Sequence, residues 1–190
     1  MRHFVVLFII LIVACQPNSH FSIQGQMPDT TFDGEQVYLV PVFGATVENV
    51  DSCTIEQGKF KFEGTPTPNE VFILRTKPML RLKAQDQLVI KEQGIIWVEM
   101  NQNSFVTGTA TNDSIQAWKE QKIKLDQQVY ELQLKRRNSP DSLQETAQAK
   151  LDSLIAIGQN FHFRTAELNQ DNALGKMLRK MLQQSPSDTE

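Results

Sequence analysis

The chain changes its hydrophobic period once, near Thr111, and this change limits the folds that it can adopt. Before that position, apolar residues alternate with polar ones in short runs, which is typical of strands with one buried face. After it, apolar residues recur at the spacing of an amphipathic helix. Because no helix-length segment separates the short runs, we expect antiparallel pairing rather than parallel crossovers. The sequence predicts an α+β fold, with an antiparallel β-sandwich or partly open barrel followed by helices.

The β-rich region is predicted over residues 20–110. Turn residues divide it at Asp33-Gly34, at Gln57-Gly58, at the proline-containing segment 65–69, at Gln93-Gly94 and at Gly108. The strands expected between these turns are 21–23, 37–39, 50–55, 60–62, 71–74, 80–82, 88–90, 95–98 and 105–107.

The helical region is predicted over residues 111–184. Its first helix runs to Arg137, can be capped by Thr111, Asn112 or Asp113, and carries an apolar seam made of Ile115, Trp118, Leu125, Val129 and Leu132. The triplet Lys135-Arg136-Arg137 suits a solvated helix C-terminus better than a contact with anionic lipid or nucleic acid.

A second helix should begin with Ser139 as N-cap and Pro140 at its first position. Its apolar seam consists of Leu143, Ala147, Leu151, Leu154 and Phe161. The short turn between the two helices predicts an antiparallel hairpin. A short third helix is expected over 173–183, and residues 185–190 are predicted to form a disordered tail.

The N-terminus resembles the leader of a bacterial lipoprotein. An apolar run over residues 4–13 follows Arg2 and ends in Ile12-Val13-Ala14-Cys15. As a helix it would span about 15 Å, half of a bilayer core of about 30 Å, so a signal peptide over residues 1–14 is favoured over a membrane-spanning anchor. An ordinary secretory signal with a coincidental cysteine is the alternative.

The lipoprotein resemblance implies that the Cys15 sulfur carries lipid, that cleavage occurs before it, and that residues 15–19 form a lipidated tether. More than one acyl chain would make this anchorage lasting. Residues 16–20 contain no acidic cluster. In related lipoproteins such a cluster directs export to the outer face, so the resemblance implies attachment to the outer membrane with the protein facing the periplasm.

Cys53 would then be the one remaining thiol, which rules out an intramolecular disulfide. Alternation places it on the same side of a strand as Ile55, so it is predicted to be a small buried hydrophobe. A reactive or intermolecular thiol is the alternative. Trp97 and Trp118 both fit apolar periodicities and are predicted to pack in the core, with a sugar or peptide platform as the alternative.

No sequence motif identifies a catalytic, cofactor-binding or metal-binding residue. We therefore expect that the protein is not an enzyme. His20 and His162 are isolated, and His3 lies in the leader. The segment 29–34 lacks the ligands of a calcium loop and predicts an Asp-Gly hairpin turn. The chain has 22 acidic and 19 basic residues, and this mild charge argues against a nucleic-acid partner.

Several segments together resemble the domain of unknown function 4369. They are Phe21-Ser22-Ile23-Gln24-Gly25, Val37-Tyr38-Leu39, Asp51-Ser52, the run from Gly58 to Gly64, Val106-Thr107-Gly108-Thr109 with Asn112-Asp113, and Asp171-Asn172-Ala173-Leu174-Gly175. In that family these parts usually precede a thioredoxin-like domain on a periplasmic lipoprotein that exchanges thiols and disulfides. This sequence ends at Glu190 without a Cys-x-x-Cys motif, so we expect that domain, and its activity, to be absent.

Two functional hypotheses follow. The first is a membrane-anchored, periplasm-facing lipoprotein that acts as a non-catalytic binding or interaction module, with an envelope protein or a second copy as partner. The second is an accessory of a thiol-disulfide exchange system, working through Cys53 or through a partner's thioredoxin-like domain.

Overall fold

The computed structural model describes residues 19–138 and 140–184. The predicted leader, Cys15, most of the tether, Ser139 and the tail over 185–190 lie outside these residues. The strands are β1 (Phe21–Gln26), β2 (Gln36–Pro41), β3 (Asp51–Thr54), β4 (Lys59–Gly64), β5 (Thr67–Arg75), β6 (Gln87–Lys91), β7 (Gly94–Glu99) and β8 (Phe105–Thr107). The helices are α1 (Ala110–Arg137), α2 (Asp141–Leu168) and α3 (Ala173–Gln184).

The strands form two four-stranded sheets that pack face to face as a sandwich. The β1 sheet has the order β4-β1-β7-β8, and the β2 sheet has the order β3-β2-β5-β6. The two sheets do not close into a barrel, so the sandwich alternative of the prediction is confirmed.

All strand pairs are antiparallel except β1 and β7, which run parallel with Ile23 beside Ile96. The strands of the β2 sheet lie between these two in sequence and act as the crossover. The predicted antiparallel sandwich is confirmed, with this single parallel pair as a local departure.

Two local predictions in the β-region were wrong. Residues 80–82 belong to a short 3-10 helix, Pro78–Leu82, rather than to a strand, and the Leu82 side chain is 84% exposed and gains nothing from the core. The Asp33-Gly34 turn is no hairpin, because the strands on either side of it lie in different sheets. Asp29 instead caps a 3-10 helix, Thr30–Phe32, by accepting a hydrogen bond from the Thr31 backbone N–H at 2.8 Å.

One continuous core joins the sandwich to the helices. Buried side chains from both sheets, including Ile23, Leu39 and Ile96, belong to the same cluster as Ile115 of α1 and Leu174 of α3. Burial of this apolar surface is the main stabilising contribution, at roughly 25 cal/mol per Å². The helices are thus part of the packing unit that contains the sheets.

The helical hairpin forms as predicted, with differences at its ends. Trp118, Leu125 and Leu151 are buried along the seam, and Trp118 Nε1 donates a hydrogen bond to His162 Nδ1 at 3.0 Å. Leu143, predicted on the seam, is exposed, because the far end of the hairpin extends past the rest of the molecule. Pro140 is the N-cap of α2 rather than its first residue.

The start of α1 is held by side-chain contacts that differ from the predicted caps. Thr109 is the N-cap, and the Thr111 backbone N–H donates to the Glu92 carboxylate at 3.0 Å. The Asn112 amide pairs with the backbone of β6: Ile90 N–H donates to Asn112 Oδ1 at 2.8 Å, and Asn112 Nδ2 donates to Ile90 O at 2.9 Å. Asn112 therefore fastens the helix to the edge of the sheet.

The helix α1 then runs along β6 from one end of the sandwich to the other. Asn112 meets Ile90 and, two turns later, Lys119 Nζ donates to Gln87 Oε1 at 2.6 Å. The first described residues lie near the start of α1. Gly94 N–H donates to His20 O at 3.0 Å, and a Cβ atom built on Gly94 would lie 3.6 Å from Thr109, the N-cap of α1. Beyond Lys119 the helix continues to Arg137, roughly 27 Å at about 1.5 Å per residue.

Candidate functional site

The outward face of the β1 sheet carries Trp97, an aromatic side chain that is not buried in the core. In β7, Ile96 and Val98 point into the core, and the residues between and before them point outward. Trp97 is consequently 51% exposed, whereas Trp118 on α1 is 6% exposed. The core assignment is confirmed for Trp118 and was wrong for Trp97.

The strand register places polar and apolar neighbours around the Trp97 indole. Gln24 of β1 lies beside Trp97 on one side and Thr107 of β8 on the other, and Lys61 of β4 lies beyond Gln24. Phe105 pairs with Glu99 two residues along β7 and is partly exposed. A side chain from each strand of the sheet thus contributes to one surface.

This surface contains a shallow, open depression of about 700 Å³, which we call the Trp97 depression. It lies within the range of about 300–1,000 Å³ that is typical of small-molecule sites. Its lining residues are Gln24, Gly25, Gln26, Cys53, Thr54, Glu56, Lys59, Phe60, Lys61, Trp97, Val98 and Glu99.

The polar side chains of the Trp97 depression are largely uncommitted. Within the described part of the chain, the side chains of Gln24, Gln26, Lys59 and Glu99 make no hydrogen bond or ion pair with protein groups. Two lining side chains do have partners: the Lys61 ammonium group lies 2.6 Å from the Glu63 carboxylate, and the Thr54 hydroxyl accepts a hydrogen bond from Gln36 Nε2 at 2.9 Å. The depression therefore offers donors and acceptors without protein partners that a ligand could use.

Gly25 and Phe60 explain how the floor of the depression is built. These residues are neighbours on β1 and β4, and the Phe60 ring lies across Gly25 on the core side of the sheet. A Cβ atom at position 25 would come within 2.0 Å of that ring. Glycine thus allows the ring to close the core beneath the depression.

Cys53 borders the depression on the β2 sheet. It lies on the edge strand β3 and pairs with Val37 of β2. Its side chain contacts the core and is half-buried. The predicted inward direction is therefore correct, whereas the predicted full burial is not. Burial raises the pKa of the Cys53 thiol, and a hydrogen bond from the Lys61 backbone opposes this effect. The thiolate, the nucleophilic form, is correspondingly scarce near neutral pH.

We therefore expect Cys53 to react slowly with a thiol reagent in the native protein. Because its pKa is raised, the rate should rise about tenfold per pH unit through neutral and mildly alkaline pH. Labelling that is quenched at a series of times and analysed by mass spectrometry measures this rate. The chain unfolded in urea gives the rate for a fully accessible thiol. Equal rates for the native and unfolded chains at pH 7 would contradict the expectation.

The remaining sequence candidates do not come together. His20 lies at the start of β1, 3.9 Å from the Glu63 carboxylate, and His162 lies on α2 against Trp118. Burial lowers the pKa of His162. Within residues 19–138 and 140–184, no group of three or more His, Cys, Asp or Glu side chains is arranged to hold a metal ion.

Sequence reasoning missed the Trp97 depression although its signal was present. Ile96 and Val98 alternate inward, and strict period-two alternation would have put Trp97 on the outer face together with Ile95 and Glu99. The contributions of Gln24 and Lys61 depend on strand register across the sheet, which the local pattern does not show.

The geometry defines a class of protein: a two-sheet β-sandwich with an appended helical hairpin and an aromatic surface on the outer face of one sheet. Residues 21–115 match the family model described as domain of unknown function (DUF4369), and the chain belongs to this family. The match includes the whole sandwich and the first residues of α1. No curated protein and no solved structure gave a match. Among the helices of the described residues, none is both long enough and apolar enough to cross a membrane.

Proposed function

We propose that this protein is a lipoprotein anchored through Cys15 to the outer membrane, facing the periplasm, and that it works as a non-catalytic binding module through the Trp97 depression. The main support for a binding function is that Trp97 is half-exposed within a depression of about 700 Å³ on the face of a sheet. Ligand sites commonly combine aromatic side chains with a few polar groups that fix the orientation of the ligand. The lipoprotein-like leader, which ends in Ile12-Val13-Ala14-Cys15, supplies the reason for placing this module at a membrane.

The anchor is tested by Cys15→Ser, which removes the sulfur that lipid would occupy. We expect the wild type to remain in the membrane fraction after a high-salt wash and Cys15→Ser to lose membrane attachment. Cys53→Ser is the matched control, because it removes the other thiol and should leave fractionation unchanged. Retention of Cys15→Ser in washed membranes would contradict the anchor without bearing on the binding site.

The binding site is tested with Trp97→Ala in the full chain. Immobilised protein is exposed to solubilised envelope material from the native host, and the retained material is quantified by mass and composition. We expect Trp97→Ala to retain at least tenfold less of the component that the wild type binds. Phe163→Ala is the matched control, since Phe163 is an aromatic residue on α2 that is 57% exposed. Equal retention by all three proteins would contradict a site at Trp97.

One observation favours the redox alternative: Cys53 borders the same depression. The raised pKa of its thiol argues against it as a nucleophile. The two proposals differ on non-reducing gels of envelope extracts. A band present in the wild type and lost in Cys53→Ser would support a mixed disulfide, whereas identical banding would remove this alternative.

A further inference from the structure

The charges of the residues that line the Trp97 depression indicate which class of ligand it can bind. Two carboxylates, Glu56 and Glu99, and two ammonium groups, Lys59 and Lys61, line the depression, so the formal charges of the lining residues cancel. The Glu63 carboxylate, which pairs with Lys61 beside the depression, adds no attraction for an anion. An anionic or cationic ligand would meet as much repulsion as attraction there. The depression therefore favours a ligand without net charge.

The hydrogen-bonding groups point to a ligand rich in hydroxyls. The side-chain amides of Gln24 and Gln26 each donate and accept, and within the described chain neither has a protein partner. A hydroxyl group also both donates and accepts, so it can pair with either end of an amide. A row of hydroxyls could satisfy these amides together with the neighbouring carboxylate and ammonium groups.

Trp97 supplies the apolar half of such a site. Its half-exposed indole is flanked on the same outer face by the partly exposed side chains of Ile95 and Phe105. A flat aromatic surface removes the apolar C–H face of a ring from water while its polar edge keeps its hydrogen bonds. Sugar rings have both an apolar face and a polar edge.

The position of Trp97 in the sheet argues against an extended peptide paired with β7, whereas β3 and β4 at the border of the depression are edge strands. Peptides that join a sheet pair with the free backbone groups of an edge strand. β7 is paired on both sides, with β1 and with β8, so its backbone groups are already used. A ligand at Trp97 must bind to side chains on the face of the sheet.

We infer that the Trp97 depression binds a neutral oligosaccharide, with its sugar rings against Trp97 and its hydroxyls paired with Gln24 and Gln26. This inference rests on the proposed binding function and specifies the ligand class of the same site. Because the lining charges cancel, the affinity should depend little on salt.

The experiment uses the full chain in a detergent without a sugar headgroup and measures binding by calorimetry. The probes are neutral hexasaccharides of glucose, mannose and N-acetylglucosamine, an oligogalacturonate as anionic polymer, and an uncharged extended peptide. We expect at least one neutral hexasaccharide to bind, with less than a twofold change in Kd between 50 and 500 mM salt as an order-of-magnitude limit for a neutral ligand.

The variants separate the inference from the proposed function. We expect Trp97→Ala to weaken hexasaccharide binding at least tenfold, Trp97→Tyr to retain most of it, and Phe163→Ala to match the wild type. If no neutral hexasaccharide binds, or if the oligogalacturonate or peptide binds in preference, the oligosaccharide inference is overturned. If that other probe is also lost in Trp97→Ala, the proposed binding site stands while its ligand class is wrong.

Discussion

Replacing Asn112 with alanine should lower the free energy of unfolding by about 2–4 kcal/mol, because two buried backbone groups of β6 would lose their partners. Asn112 is fully buried, accepts from the Ile90 N–H and donates to the Ile90 C=O. Its amide thus continues the hydrogen bonding of the sheet where β6 has no further strand beside it. Alanine can make neither bond, so the two backbone groups lose their direct partners.

Urea unfolding followed by circular dichroism measures this effect, with the slope of the transition expected to stay unchanged. Asn103→Ala is the matched control, since Asn103 is exposed in the turn before β8 and should change the free energy of unfolding by less than about 0.5 kcal/mol. If Asn112→Ala fell within the range of that control, the amide would not be fastening α1 to the sheet.

Gly108→Ala should be the other strongly destabilising change, by roughly 3–5 kcal/mol, since two separate costs act at this position. Gly108 has a φ of +114°, a conformation that residues with a side chain rarely adopt. A Cβ atom there would also lie 2.4 Å from the backbone oxygen of Ile95, which belongs to β7 and cannot move without disturbing the sheet.

Gly44→Ala separates the two costs. Gly44 also has a positive φ, +66°, but no atom lies within 4 Å of a Cβ built there. Gly44→Ala should therefore lower the free energy of unfolding only by the cost of the positive φ, about 1–2 kcal/mol. Thermal and urea unfolding of the two variants under the same conditions make the comparison. Equal losses would mean that the close approach to Ile95 contributes nothing.

The elements that sequence reasoning found are those whose signal is local. The strand around Phe60 and Phe62 has alternating burial between two glycines, and α3 begins at Ala173 as predicted and ends one residue later than predicted. In both places short-range periodicity and turn residues decide the structure. The 80–82 segment was misread because two leucines suggested a strand, although Pro78 begins a 3-10 helix there.

The features that the sequence could not predict depend on contacts between distant segments. The parallel pairing of β1 with β7 follows from how the two sheets are assembled, since each strand alone would suit either direction. Asn112 was a plausible helix cap from its position, yet its partner Ile90 lies 22 residues earlier in β6, with β7 and β8 between them. The depression likewise needs the register of β4, β1 and β7 before Gln24 and Lys61 become neighbours of Trp97.

The path of α1 determines how far the tip of the helical hairpin lies from the start of β1. It starts beside the first residues of β1 and continues past the opposite end of the sandwich to Arg137. Six strand residues at about 3.3 Å each and the projecting part of the helix together separate the start of β1 from the hairpin tip by roughly 45 Å. In a chain held to a bilayer near Cys15, the hairpin would stand as a spacer, with its tip in reach of structures well above the lipid surface. The Trp97 depression would lie much nearer the anchored end, about 10 Å from the start of β1.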